Sequence, residues 1–196
     1  HSFPTRRSSD LHVHSLLFAP TVKPDDLRAY NTAGIILSGG PSSVYETGAP
    51  HCDPALLDMG VPVLGICYGM QLISLFLGGN VKPAPSREYG RVKLYVPKPA
   101  SILAHLPEET SAWMSHGDIV EVLNENFETL AHTASCPFAA LKHKNRALYG
   151  LQFHPEVTHT PNGSQILRNF VFDVCKCDST WSVGSIVESA IESVSS

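Results

Sequence analysis

Two kinds of apolar pattern divide this chain. In the first half, short continuous apolar runs alternate with amphipathic stretches. Gly34–Ser38 (Gly-Ile-Ile-Leu-Ser) and Val61–Ile66 are β-prone and apolar at nearly every position, as strands covered on both faces are. His12–Phe18, with Val13, Leu16 and Phe18 as its apolar positions, reads as a further strand. Pro24–Tyr30 opens with proline and acidic residues and predicts a short helix. Pro54–Met59 predicts another, and Tyr68–Leu77 a third, stopped by Gly78-Gly79. Such βαβα alternation implies a parallel sheet with helices on both sides.

The second half is built differently. Arg91–Val96, Ala112–Met114, Ile119–Leu123, Thr129–Thr133, Ala139–Lys142 and Leu148–Phe153 are short strand candidates separated by turn residues. Gly163–Cys175 carries Ile166, Leu167, Phe170, Val171 and Val174 on one helical stripe. The fold class expected is α/β: an open, mostly parallel sheet with helices on both faces, plus a small antiparallel set of strands. No internal repeat is visible.

Composition narrows the function classes. The chain has 196 residues, 43% hydrophobic and 16% charged, enough for one α/β domain with a sizeable core. Net charge is −4, with no basic run beyond Arg6-Arg7, which argues against nucleic acid as a partner. No apolar stretch approaches the ~18 residues of a membrane span, and no signal peptide is visible. The five cysteines are odd in number and scattered, which fits a reducing, cytoplasmic setting. Cys175-x-Cys177 lacks a second pair, so no metal site is expected.

The most telling segment is Val63-Leu64-Gly65-Ile66-Cys67-Tyr68-Gly69-Met70-Gln71. An apolar strand ends at a cysteine bracketed by glycines, and a helix starts at once. A Gly-x-Cys-x-Gly run at that junction forces a sharp turn like the Gly-x-Ser-x-Gly elbow of hydrolases. It leaves the thiol at a helix N-terminus, where the dipole favours thiolate. The bland alternative is a buried structural cysteine.

A cysteine nucleophile needs a base, and the base an orienting group. His154-Pro155-Glu156 follows the last strand candidate, at a carboxyl end of the sheet. Residues i and i+2 of an extended segment face the same way, so His154 and Glu156 can serve one site. The same residues read equally well as a His-Pro turn with a solvated Glu. Gly39-Gly40-Pro41 ends another buried strand. Its free N–H groups suit an oxyanion hole shared with the N–H of Tyr68, or it is a plain tight turn. It lacks the Lys-Ser/Thr ending of a phosphate loop.

Together these segments resemble the class I (triad) glutamine amidotransferases. Ile36–Val44, Arg87-Glu88-Tyr89-Gly90, Trp113–Asp118, Ser135-Cys136-Pro137-Phe138 and Phe153–Thr160 narrow the resemblance to the glutaminase domains of GMP synthases. It covers roughly residues 12 to 196. The resemblance implies a flavodoxin-like sheet order and an enzyme that hydrolyses glutamine to glutamate and ammonia. Cys67 would form the thioester, His154 shuttle the proton, Glu156 orient His154, and the N–H groups of Gly40 and Tyr68 hold the oxyanion. Gln71, Ser115 and His116 would contact the amino-acid head of glutamine. No cofactor is implied for this domain. ATP and Mg2+ belong to an ATP pyrophosphatase (synthetase) domain, fused or separate, that aminates XMP to GMP.

Against that pattern, residues 1–11 look foreign: they back-translate onto a widely used DNA-sequencing adaptor. The family's opening strand and helix are expected to be missing, residues 12–178 to be an N-terminally truncated amidotransferase domain, and residues 179–196 a linker. A chain of this kind is expected to fold poorly, since His12–Phe18 would lack its neighbour. The alternatives are a glutaminase of the anthranilate, carbamoyl-phosphate or CTP synthase type, or a catalytically silent ammonia-gating module. The Met-Ser-His-Gly-Asp and Arg-Glu-Tyr-Gly runs weigh against the first, intact Cys67, His154 and Glu156 against the second.

Overall fold

The computed structural model describes residues 11–179. Its main sheet contains β1 (Ile35–Leu37), β2 (Val63–Ile66), β5 (Phe127–Ala131), β6 (Ala140–His143) and β7 (Leu148–Leu151), in the order β1-β2-β7-β6-β5. β1, β2 and β7 pair in parallel, while β6 runs antiparallel to both β7 and β5. A second, two-stranded antiparallel sheet is formed by β3 (Asn80–Tyr95) and β4 (Glu109–Val122). The helices are α1 (Pro24–Arg28), α2 (Tyr68–Phe76) and α3 (Gly163–Arg168).

Alternation along the central strands splits the core into two layers. Leu64 and Ile66 of β2 and Tyr149 and Leu151 of β7 pack with Ile166, Leu167 and Phe170. Val63 and Leu148, one residue out of phase, pack with Met70 and Ile73 of α2 and with Leu56 and Leu57. Each such side chain contributes about 1.5–3 kcal/mol on leaving water. Helices therefore cover both faces, as the βαβα pattern implies.

Several expectations need correction. His12–Phe18 forms no strand. It pairs with nothing in the sheet, and Leu16 and Leu17 are exposed; β-prone sequence makes a strand only where a neighbour takes its backbone hydrogen bonds. Among the described residues β1 is consequently an edge, and Ile36 is exposed on a face expected to be covered. Ala112–Met114 and Ile119–Val122 belong to one long strand, with Leu123 just past its end, because β3 is itself far longer than Arg91–Val96 and pairs with it on both sides of a register shift. Beyond Arg168 the helix widens into a π-helix, Asn169–Val174. Apart from Leu11, which is buried in the core, residues 1–11 lie outside the described residues, as does the linker after Ser179.

Candidate active site

Cys67 caps α2 at φ 51° and ψ −105°, a left-handed conformation that a non-glycine residue adopts only when its surroundings impose it. Both flanking glycines are required. A Cβ on Gly65 would lie 2.5 Å from the Gly69 carbonyl, and one on Gly69 would lie 2.1 Å from the Leu37 carbonyl oxygen. The helix thus presses directly onto β1 and β2. Cys67 N–H donates to Leu151 O at 2.7 Å, which continues the β2–β7 ladder by one residue and holds the turn at the carboxyl end of both strands.

His154 reaches the same end from β7. That strand stops at Leu151, two residues short of the expected Phe153, and a turn begins at Pro155. His154 N–H donates to Trp113 O at 3.0 Å. Thr160 Oγ1 donates to His154 O at 2.7 Å and accepts from Trp113 N–H at 3.0 Å. The histidine backbone is therefore clamped to β4. Its Nδ1 lies 2.7 Å from Glu156 Oε1, and its ring and Cys67 stand side by side against Gly39. Burial pushes the imidazole toward its neutral form, but the bonds to Cys67 and Glu156 outweigh that and raise its pKa to about 10. The imidazole therefore carries its proton at neutral pH. Glu156 Oε2 is buried and has no partner among the described residues.

Gly39 forms the opposite wall. A Cβ there would lie 3.0 Å from His154 Cε1 and 3.6 Å from Cys67 Cβ. At Gly40 it would rest 3.5 Å from the Tyr68 ring, so the two residues expected to supply the oxyanion donors are neighbours. The residues expected at the glutamine head are also near but mostly enclosed. Ser115 O lies 3.8 Å from Cys67 Sγ. Gln71 is buried, its Nε2 donating to Asp118 O at 3.1 Å and to Gln152 Oε1 at 3.4 Å. The His116 ring is 1% exposed and bonds Glu88 at 3.1 Å; burial lowers its pKa against the opposing pull of Glu88.

Three residues went unnoticed in the sequence. Gln152 is fully buried and its amide lies 3.7 Å from Cys67 Sγ; a glutamine inside the apolar run before His154 was the available signal. Asp118 and Thr160 carried none beyond their motifs. Among the described residues, no group of three or more His, Cys, Asp or Glu could hold a metal ion, and no helix is long and apolar enough to cross a membrane.

The family model described as Glutamine amidotransferase class-I matches residues 5–174. The chain belongs to the class-I glutamine amidotransferases. It is 47% identical over 189 residues to a GMP synthase [glutamine-hydrolyzing] of Nostoc punctiforme, covering 96% of this chain and 35% of that one. It is 46% identical over 190 residues to the enzyme of the same name from Prochlorococcus marinus, covering 96% and 36%. The chain thus spans about a third of these curated relatives. Among solved structures, a candidate GMP synthase subunit from Thermoplasma acidophilum superposes with a TM-score of 0.80 at 31% identity over 89% of both chains. A glutamine amidotransferase from Thermotoga maritima shares the fold, at TM-score 0.57 and 21% identity over 76% of this chain and 68% of that one.

Proposed function

We propose that this amidotransferase hydrolyses glutamine through a thioester on Cys67 and supplies the ammonia for ATP-dependent amination of XMP to GMP. The observation that carries the chemistry is Cys67, held at φ 51° on a helix N-terminus beside a histidine that Glu156 backs at 2.7 Å. The similarity to GMP synthases supports the destination of the ammonia.

In this reading the Cys67 thiolate attacks the side-chain carbonyl carbon of glutamine. A C–S bond forms and the carbonyl electron pair moves onto oxygen, where the N–H groups of Gly40 and Tyr68 stabilise it. The His154 imidazolium gives its proton to the amide nitrogen. The C–N bond breaks, ammonia leaves, and a glutamyl thioester remains. Water, deprotonated by His154, attacks the thioester; the C–S bond breaks, glutamate departs, and the thiolate–imidazolium pair returns. Glu156 holds the imidazole in register throughout. Ser115, His116 and Gln71 shape the pocket for the glutamine head.

ATP and Mg2+ find no fitting site among these residues. The Gly39-Gly40 turn lacks the Lys-Ser/Thr ending of a phosphate loop, and its glycines pack on Cys67, His154 and Tyr68. Both ligands belong to a synthetase domain, the partner of this reading, acting in the cytoplasm. Glutamate release from glutamine, measured with and without that domain, tests the proposal. Cys67→Ser is expected to abolish glutamine-dependent GMP formation and to spare formation from added ammonia. No glutamate under either condition would overturn it.

A further inference from the structure

The loop that follows β1 carries Gly39 and Gly40, and one buried side chain ties it down from across the site. Asp118 of β4 accepts hydrogen bonds from Ser43 Oγ at 2.5 Å and from Tyr45 OH at 2.7 Å. Its own backbone carbonyl accepts from Gln71 Nε2, on the helix that starts at Cys67. Asp118 therefore joins the loop, the β3–β4 arm and the nucleophile's helix. It is buried, while the Tyr45 ring is half exposed, so Tyr45 OH meets an enclosed carboxylate from the rim. The loop is also tied by Val44, buried in the core, and by hydrogen bonds of Ser43 N–H to Glu46 Oε2, Glu46 N–H to Ser43 O, Ala49 N–H to Glu46 O, His51 Nε2 with Val44 O and Tyr68 OH to Pro50 O. None of these hydrogen bonds reaches β4.

From this geometry we infer that Asp118 is a positioning residue: through Ser43 and Tyr45 it latches the Gly39-Gly40 loop in the register that lets the Gly40 N–H meet a developing oxyanion. The inference rests on the amidotransferase reading above. Charge-assisted bonds from two hydroxyls to one carboxylate are short and directional. A displacement of about 1 Å at a reacting group can cost about 100-fold in rate, so a loop held this way matters to turnover more than to binding.

The test compares the chain with Asp118→Ala, Asp118→Asn and the double variant Ser43→Ala/Tyr45→Phe, each with its synthetase domain. Asp118→Ala and the double variant are expected to lose about 10- to 100-fold in kcat, toward the cost of losing one oxyanion donor, with KM within about threefold. Asp118→Asn keeps an acceptor for one hydroxyl and a donor for the other, and is expected to stay within about threefold of the parent. Alkylation of Cys67 by iodoacetamide needs the thiolate but no oxyanion hole, and is expected to run at the parent rate in all variants. Amide hydrogen exchange at Gly39 and Gly40 is expected to quicken at least about tenfold in the two weakened variants. Unchanged kcat, unchanged exchange, or alkylation falling in parallel with turnover would each overturn the latch. Should Asp118→Ala not fold, the double variant carries the same decision with the carboxylate in place. A parent that hydrolyses no glutamine would sink the amidotransferase reading, whereas the exchange comparison would still decide whether Asp118 holds the loop.

Discussion

His154 Nδ1 and Glu156 Oε1 lie 2.7 Å apart, although β7 ends three residues before the histidine. The pair is therefore made by a turn at Pro155 and not by strand alternation. Its electrostatic consequence is a histidine that keeps its proton to about pH 10, burial being outweighed by the bonds to Cys67 and Glu156. Replacing Glu156 by Gln removes one charged partner and leaves the burial penalty in place. The His154 titration, followed by the NMR shift of its ring protons, is expected to move down toward the ordinary histidine value, and turnover to fall about 10- to 1000-fold, in the range of general acid–base contributions. A titration unmoved by Glu156→Gln would remove Glu156 from the role of orienting group.

The same raised pKa sets a pH dependence for stability. The folded-state pKa of about 10 lies above the unfolded value near 6.5, so the folded state binds the proton more tightly. The stabilisation is fully present below about pH 6.5 and fades as pH rises through about 10. Melting temperatures measured from pH 6 to 10.5 are expected to drop more for the parent than for Glu156→Gln. Equal slopes would mean that the pair does not hold the proton.

Much of this site was legible in the chain, for a physical reason. The elbow announces itself because only glycine fits beside a helix pressed onto a strand, and Gly65 and Gly69 mark both contacts. Cys67 stands at the end of β2, where local pattern predicts position well, whereas His154 and Glu156 meet through a turn past β7 and not through the extended alternation expected. What escaped was the long-range bonding: Gln152 against Cys67, Asp118 against Ser43 and Tyr45, and Thr160 against Trp113. These pairs are separated by up to 85 residues, and no local period records them. The strand expected at His12–Phe18 failed in the opposite way. Its residues suit a strand, but strand formation is decided by a neighbour.

The two glycines make a sharp mutational prediction. Gly65→Ala and Gly69→Ala each drive a methyl group into backbone, at 2.5 Å and 2.1 Å. Overpacking of that kind costs about 1–3 kcal/mol or more, because backbone cannot step aside as a side chain can. Gly48→Ala is the control, since at φ +82° it meets no atom within 4 Å and carries only a conformational penalty of about 1 kcal/mol. Chemical denaturation is expected to rank Gly69→Ala and Gly65→Ala below Gly48→Ala, with turnover lost in the first two alone.

Strain at the nucleophile predicts a trade of stability against activity. A non-glycine residue at φ 51° carries about 1–3 kcal/mol of backbone strain. Cys67→Gly relieves it, whereas Cys67→Ala keeps it, and both remove the thiol. Cys67→Gly is expected to be more stable than Cys67→Ala by about 0.5–1 kcal/mol once the greater chain entropy of unfolded glycine is subtracted. Urea unfolding of the two inactive variants measures the difference directly. A Cys67→Gly variant less stable than Cys67→Ala by the full entropy of unfolded glycine, about 0.4–1 kcal/mol, would show that the surroundings impose no strain at Cys67.

Gln71 separates a structural role from a binding one. Its amide is buried and donates to Asp118 O at 3.1 Å and to Gln152 Oε1 at 3.4 Å, and Gln152 in turn reaches the Cys67 sulfur. Gln71→Leu keeps most of the volume and strands two buried acceptors, a loss of about 1–3 kcal/mol for each group left unsatisfied. If Gln71 also touches the head of glutamine, KM rises together with the loss of stability. If it acts only through Gln152, stability and kcat fall while KM for glutamine stays near the parent value. The enclosed geometry favours the second outcome, and a KM increase above about tenfold, equivalent to about 1.4 kcal/mol of lost binding, would assign Gln71 to the substrate.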